Sequence, residues 1–446
     1  MDTLNREQRK AVQSEENIVC VIAGAGTGKT KTLIQKVNTL IHQKNIPQHQ
    51  ILVLTFSRKA ADEIKERISQ QADTTTPGIF TGTFHSFSLQ ILRSYCRDAL
   101  LRLGFSDFPD IISEDIKNEY IRSEIKKNRE LFCGLPFSMI EGMLFSEKRL
   151  STHIINKLNK AGITDALAIV RNNYAEYKIK SNLIDYEDMI SFANIILETS
   201  SEIRNTIRNT YRYILIDEFQ DTSENNMRLI RNIMPERNPG LFVVGDDWQS
   251  IYGFRNARID YIVHPGRYFT NACTITLHRN YRSRQEIVSL SNKLIKHNKN
   301  RTRKSLKSAQ GPGGVITAYS CKTKESECQI IAEIIKNNFH ENTAILYRNN
   351  WQGSYLSEYL LRELGEINAG KLSLMTMHAS KGLEFHTVII TGISDKILPD
   401  PSSNIEEERR LLYVAITRAR ESLHIVHYMK PDNTLSKFAR ELRIKK

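Results

Sequence analysis

Asn17–Ile34 reads NIVCVIAGAGTGKTKTLI. Its apolar run Ile18–Ala23 is what a strand buried on both faces of a parallel sheet requires. A glycine-rich turn follows, and then a helical stretch, KTLIQKVNTLI, from Lys31. Strand, glycine turn and helix together form the repeating unit of a parallel α/β sheet. The turn lets backbone N–H groups close on phosphate oxygens, and the helix N-terminus adds partial positive charge. Ala23, Gly24, Ala25, Gly26, Thr27, Gly28, Lys29 and Thr30 therefore form a candidate ATP loop. Lys29 would reach the terminal phosphates and Thr30 would hold Mg²⁺. Ala23 stands where the generic loop pattern has glycine.

Working outward, similar apolar runs recur at 51–57, 79–86, 213–219, 241–246 and 274–280. A second series lies at 314–320, 343–348, 372–378, 386–393 and 422–429. A basic stretch with Gly and Pro, Lys299–Gly314, separates the two series and is expected to be a solvated surface loop. The fold class expected is α/β, with two P-loop NTPase lobes of parallel sheet. From about 96 to 200 the pattern turns helical, in segments 118–132, 149–162, 165–180 and 186–198. The expected division is 1–95 with 201–278 as the first lobe, 96–200 as a helical insertion, and 279–446 as the second lobe.

The run YILIDEFQDTS, 213–223, supplies the acids that a nucleotide loop needs. Asp217 and Glu218 end a strand at the edge where α/β sheets bind ligands. Asp217 suits Mg²⁺ and Glu218 suits a base orienting the attacking water. Lys29 and Asp217 lie 188 positions apart, more than one strand–helix repeat needs, which independently points to an insertion. In VVGDDWQSIYGFRNA, 243–257, Gln249 follows acids at a strand end and can report on a terminal phosphate. Tyr252 and Phe254, with Arg255 beside them, are residue types that stack on unpaired bases. Positive charge at the γ-phosphate has two candidate sources, Arg282 in NYRS and Arg418 in VAITRAR.

Composition agrees with a polyanionic partner. The 446 residues carry 63 Lys and Arg against 50 Asp and Glu, a formal charge of +13. The six cysteines form no CxxC pair and read as reduced thiols without a zinc site. No signal peptide or membrane-length apolar run is present, so a cytoplasmic protein without membrane contact is expected.

In this order and over nearly the whole chain, the blocks resemble the UvrD/Rep/PcrA group of superfamily 1 DNA helicases. Beyond those quoted above they are LNREQ (4–8), TFSRKAADEIKERI (55–68), GTFHSFS (82–88), MTMHASKGLEF (375–385) and EERRLLYVAITRAR (407–420). The group's own loop has alanine at Ala23. Trp248 and the HASKG wording are most similar to bacterial DNA helicase IV. The resemblance implies RecA-like lobes and 3′→5′ movement on single-stranded DNA with unwinding at junctions. It also implies that Gln8 reads adenine, Tyr281 stacks on it and Glu384 binds the ribose. Gln249 would sense the γ-phosphate, with Arg282 and Arg418 touching it from the second lobe. Phe56, His85, Tyr252, Phe254, Arg348 and His378 would face the single strand.

Phe254 and Asn256 replace the group's usual Trp and Gly. Few residues separate LLRELG (360–365) from KLSLMTMH (371–378), where Rep and PcrA carry a large helical insertion. The extension that precedes helicase IV's motor is not seen either. An alternative of a different class is thus an ATP-gated DNA-binding subunit that loads or regulates a protein partner, a nuclease or repair factor.

Overall fold

The computed structural model describes residues 4–71, 78–95, 100, 104–132, 134–145, 162–337, 340, 342–369, 372–429 and 434–444. The fold is mixed α/β, built on two parallel sheets. The first has spatial order Phe80–Thr83, Ile51–Thr55, Tyr213–Ile216, Gly240–Gly245, Ile18–Ile22 and Cys273–Thr276. Its central strands are buried throughout because helices cover both faces. Ile18, Cys20 and Ile22 enter one core, while Val19 and Val21 enter the opposite one. Alternation of side chains across a strand produces this split. Helix Lys29–His42 covers the second of these cores with Leu33, Ile34, Val37 and Leu40.

The second sheet has order Val315–Cys321, Ala419–Tyr428, Phe385–Ile393, Thr343–Tyr347 and Leu372–Thr376, again all parallel. One of its two cores also contains Ala25, Trp248 and Ile251, which come from loops of the first sheet. The two sheets therefore meet through the candidate nucleotide loops rather than through bare surface.

Between Phe80–Thr83 and Tyr213–Ile216 the described residues are mainly helical. Helices Glu114–Lys127, Phe137–Phe145 and Ile163–Lys180 share a core running from Ile112 to Tyr174. Helix Tyr186–Thr199 instead buries Met189, Ile190, Ala193 and Leu197 in the first sheet's core. Most of the segment 149–162, read as helix from the sequence, lies outside the described residues, as do Cys96 and Cys133. Cys20, Cys273, Cys321 and Cys328 are free thiols. Among the described residues no helix is long and apolar enough to cross a membrane.

The stretch Lys299–Gly314 is not the solvated loop its composition suggests. The Lys304 side chain is fully buried, Leu306 is 2% exposed, and Lys307–Ser308 pairs in parallel with Arg279–Asn280. It is a strap between the two sheets, fastened by partners distant in sequence.

Candidate functional site: a nucleotide cleft between two sheets

Gly28, with φ of 79°, ends the glycine turn and starts helix Lys29–His42, so Lys29 stands at the helix N-terminus. A left-handed backbone there favours glycine. Thr30 Oγ1 donates to Asp217 Oδ2 at 2.8 Å. Lys29 Nζ lies 3.6 Å from Glu218 Oε1. The loop and the acidic pair thus converge, although 187 positions separate Thr30 from Asp217. Burial and then the charge of Glu218 raise the pKa of Asp217, against the pull of Lys29. Burial also acts to raise Glu218, but Lys29 and Lys381 outweigh it and hold that carboxyl well below the usual range. A hydroxyl and a carboxylate side by side are hard oxygen donors, which fits Mg²⁺ held jointly by protein and substrate phosphates.

Gln220 joins neighbouring strand ends: its Oε1 accepts from Asp246 N at 2.8 Å, and its Nε2 donates to Glu218. Gln249 Nε2 donates to Asp246 Oδ2 at 2.6 Å, which leaves Oε1 to accept from Arg418 Nη2 at 3.3 Å. Arg418 is only 1% exposed and also donates to the carbonyls of Val414 and Leu383. Burial, and then repulsion from Arg282, lower its pKa to about 9. Negative charge arriving from a γ-phosphate would relieve that repulsion. Arg282 Nε donates to Glu384 Oε2 at 2.7 Å, and its Nη1 donates to the Thr417 carbonyl. The fold thus brings both arginines, which the resemblance implies at the γ-phosphate, to the cleft.

The glycine loop itself is held from the second lobe. Asn280 Nδ2 donates to Ala25 O at 2.7 Å, and Tyr281 N donates to Gly26 O at 2.8 Å. Ala25 N donates to Tyr413 Oη at 3.4 Å. On the other side, Gln8 Nε2 donates to Thr27 O and Gln8 Oε1 accepts from Asn5 N. Each polar end of the Gln8 amide makes one bond within the protein, so one N–H and one oxygen lone pair remain. Tyr281 is 38% exposed, and its hydroxyl accepts from Asn5 Nδ2. Ala23, Gly24 and Thr27 lie inside the turn, where Thr27 Oγ1 donates to Gly24 O.

The residues assigned to the single strand fall into two groups. Tyr252, Phe254 and His378 form a chain of rings with centroids 5.9 Å apart at each step, and Arg255 lies over both Tyr252 and Phe254. Phe254 is 45% exposed and open to a stacking partner. Burial, then Arg348, Lys381 and Arg255, lower the pKa of His378 to about 4. Arg348 is not free: a bidentate pair with Glu408 at 3.1 and 2.9 Å holds its guanidinium. Phe56 and His85 form the second group. Phe56 packs half-buried on Phe84 at 5.0 Å, and His85 meets Tyr186 edge-on at 5.6 Å.

Several partners escaped sequence reasoning. Lys381 pairs with Asp221, donates to the Gln249 carbonyl at 3.3 Å and lies over the Tyr252 ring. Gln220, Asn280 and Lys381 all fall inside the quoted motifs, which was the available signal. Lys304 had none, since it sits among basic residues that look solvated.

Residues 4–270 match the UvrD/REP helicase N-terminal domain, and residues 275–368 and 360–430 match the UvrD-like helicase C-terminal domain. The chain is 30% identical over 96% of its length to a probable DNA helicase of Mycoplasma pneumoniae, covering 83% of that protein. It is 33% identical over 80% of its length to a probable DNA helicase II homolog of Mycoplasma capricolum. Identity to the ATP-dependent DNA helicase PcrA of Staphylococcus aureus is 31% over 81% of the chain. The chain spans about half the length of these last two relatives, 51% and 50%.

Proposed function

Since the chain belongs to the UvrD/REP helicase family, we propose that it is an ATP-dependent DNA helicase that moves 3′→5′ along single-stranded DNA. The observation carrying this reading is the cleft in which Lys29, Thr30, Asp217 and Glu218 of one sheet face Arg282 and Arg418 of the other. The working division is 1–95 and 201–278 as first lobe, 96–200 as helical insertion and 279–446 as second lobe. We take the cytoplasm as its compartment, and single strands and duplex junctions as its substrates.

ATP would enter with its phosphates on the glycine loop, beside Tyr281 and Glu384. Thr30 and Asp217 would hold Mg²⁺, which when bound neutralises phosphate charge. Glu218, held ionised by Lys29 and Lys381, orients a water for in-line attack on the γ-phosphorus and takes its proton. The bond to the β-phosphate oxygen breaks and ADP leaves. Gln249, Arg282 and Arg418 touch the transferring group from both sides of the cleft, so its loss removes the charge that draws the lobes together. Rings on the lobe tops grip bases in alternation, each stack contributing about 1–3 kcal/mol.

The first test is ATP hydrolysis with and without oligo-dT, with Glu218→Gln as the blank. Stimulation that grows with strand length supports a motor, and DNA-indifferent turnover removes it. Preferential stripping of streptavidin from one biotinylated end supports directional movement. ATP-dependent binding without stripping would support the second reading, a DNA-binding switch for a nuclease or repair factor. That reading draws on the short connection between Asn350–Ala369 and Leu372–Thr376.

A further inference from the structure

Lys304 lies in the strap between the sheets, and its amino group is fully buried. It donates to Asp246 Oδ1 at 2.7 Å and to Asp247 Oδ1 at 2.6 Å, and it lies 4.6 Å from the centre of the Trp248 ring. Both aspartates are also fully buried. Burial works against the charge of Lys304, and the two aspartates more than restore it. Thr302 adds two bonds to Asp247, from its N at 2.7 Å and its Oγ1 at 2.6 Å. Arg410 Nη2 donates to the Asn300 carbonyl, which fastens the same part of the strap a second time.

The consequence reaches Gln249. The Asp246 carboxylate accepts from Lys304 and Trp248 N through Oδ1 and from Gln249 Nε2 through Oδ2. A carboxylate offers only acceptors, so it obliges Gln249 to turn its NH₂ inward. The Gln249 carbonyl oxygen is thereby turned toward Arg418. We infer that Lys304 is a positioning residue, which through Asp246 fixes the amide orientation of Gln249 and makes the phosphate sensor depend on the strap from the second lobe. This rests on the ATPase reading above and adds to it a residue that touches neither nucleotide nor DNA.

Two substitutions test it. Lys304→Met removes the cation and keeps the side-chain length. Asp246→Asn keeps Lys304 in place and nearly conserves shape. The amide that Asp246→Asn introduces must turn its oxygen to Lys304 and its NH₂ to Gln249, which flips the Gln249 amide. Each change should lower the DNA-stimulated kcat at least about tenfold, with KM for ATP within about threefold. In a Gln249→Ala background neither change should lower kcat by more than about twofold further, because the group they orient is already gone.

If the effects multiply with that of Gln249→Ala, Lys304 is only a structural latch and the inference falls. Unchanged kcat in folded Asp246→Asn overturns it equally, and that variant carries the test if Lys304→Met does not fold. A Lys29→Ala control separates the two levels. Wild-type turnover no greater than that of Lys29→Ala removes the ATPase reading and the inference together; robust wild-type turnover with multiplicative effects removes the inference alone.

Discussion

Arg418→Ala tests the charge proposed for the γ-phosphate, and the structure separates its catalytic cost from its structural one. Arg418 donates to Val414 O, Leu383 O, Gln249 Oε1 and Thr417 Oγ1. Val414 O keeps the Thr417 hydroxyl as a donor, so the buried Gln249 Oε1 and the part-buried Leu383 O are the acceptors left short. That costs about 1–3 kcal/mol of stability. The effect on rate should be larger. An arginine at a transferring phosphoryl group supplies about 10³–10⁵-fold, or about 4–7 kcal/mol of barrier. We expect kcat to fall by at least about 10³ with KM for ATP within about threefold, since Lys29 and the glycine loop carry ground-state binding. Arg418→Lys should recover little, because an ammonium cannot reproduce the planar fork. The assay is steady-state ATP hydrolysis on saturating oligo-dT, with circular dichroism to confirm folding. A folded Arg418→Ala variant that loses less than about tenfold in kcat, or whose KM rises in step with the rate loss, refutes the assignment.

Gly26→Ala should block closure of the cleft. An added Cβ would stand 2.7 Å from Arg282 Cβ and 2.9 Å from Asn280 Nδ2, at a φ of +66°. Turnover should fall more than about tenfold while DNA binding without nucleotide stays intact, and a competent variant would contradict the closed geometry. Phe254→Ala should weaken oligo-dT binding by about 5–150-fold, the equivalent of one lost stack of about 1–3 kcal/mol. Anisotropy titration at fixed salt reads this, and unchanged affinity removes Phe254 from the track. His378 has its pKa lowered from 6.5 to about 4, so its contribution to stability is present above about 6.5 and is lost as pH falls toward 4. Urea unfolding should show wild type losing stability relative to His378→Gln over that window, and parallel pH curves would count against the burial that lowers it.

Much of this was legible in the chain. Every long apolar run contains a strand, and the central ones are apolar along their length because both faces are covered, whereas the edge strand Val315–Cys321 is largely exposed or half-buried. The two-residue ladders, Asp110–Ile111 with Leu183–Ile184 and Arg279–Asn280 with Lys307–Ser308, carry too few residues to show a period. The run 79–86 reads as one strand but stops at Thr83. There Thr83 Oγ1 accepts from Ser86 N while Ser86 Oγ accepts from Thr83 N, and a helix begins at Phe84. In the site, motif wording singled out Lys29, Thr30, Asp217, Glu218, Gln249, Arg282 and Arg418, each in a short block, and the fold brings them to one cleft. Lys304 was illegible: its carboxylates lie 57 and 58 positions away, and only the fold shows that they meet. The pairing of Arg348 was illegible for a related reason, since Glu408, which engages its guanidinium, lies 60 positions on.

If the glycine loop holds the nucleotide as proposed, the bonds from Asn280 and Tyr281 to the carbonyls of Ala25 and Gly26 would make its exchange a mechanical event. On the proposed reading a nucleotide on the loop would leave as these two contacts part, so its dwell time would depend on the stiffness of that seam as well as on affinity. Tension that spreads the seam shortens the dwell, and compression lengthens it. An obstacle ahead on the strand would then be registered as a change in the rate of ADP release, so that the same seam that closes around fuel also serves as a load gauge.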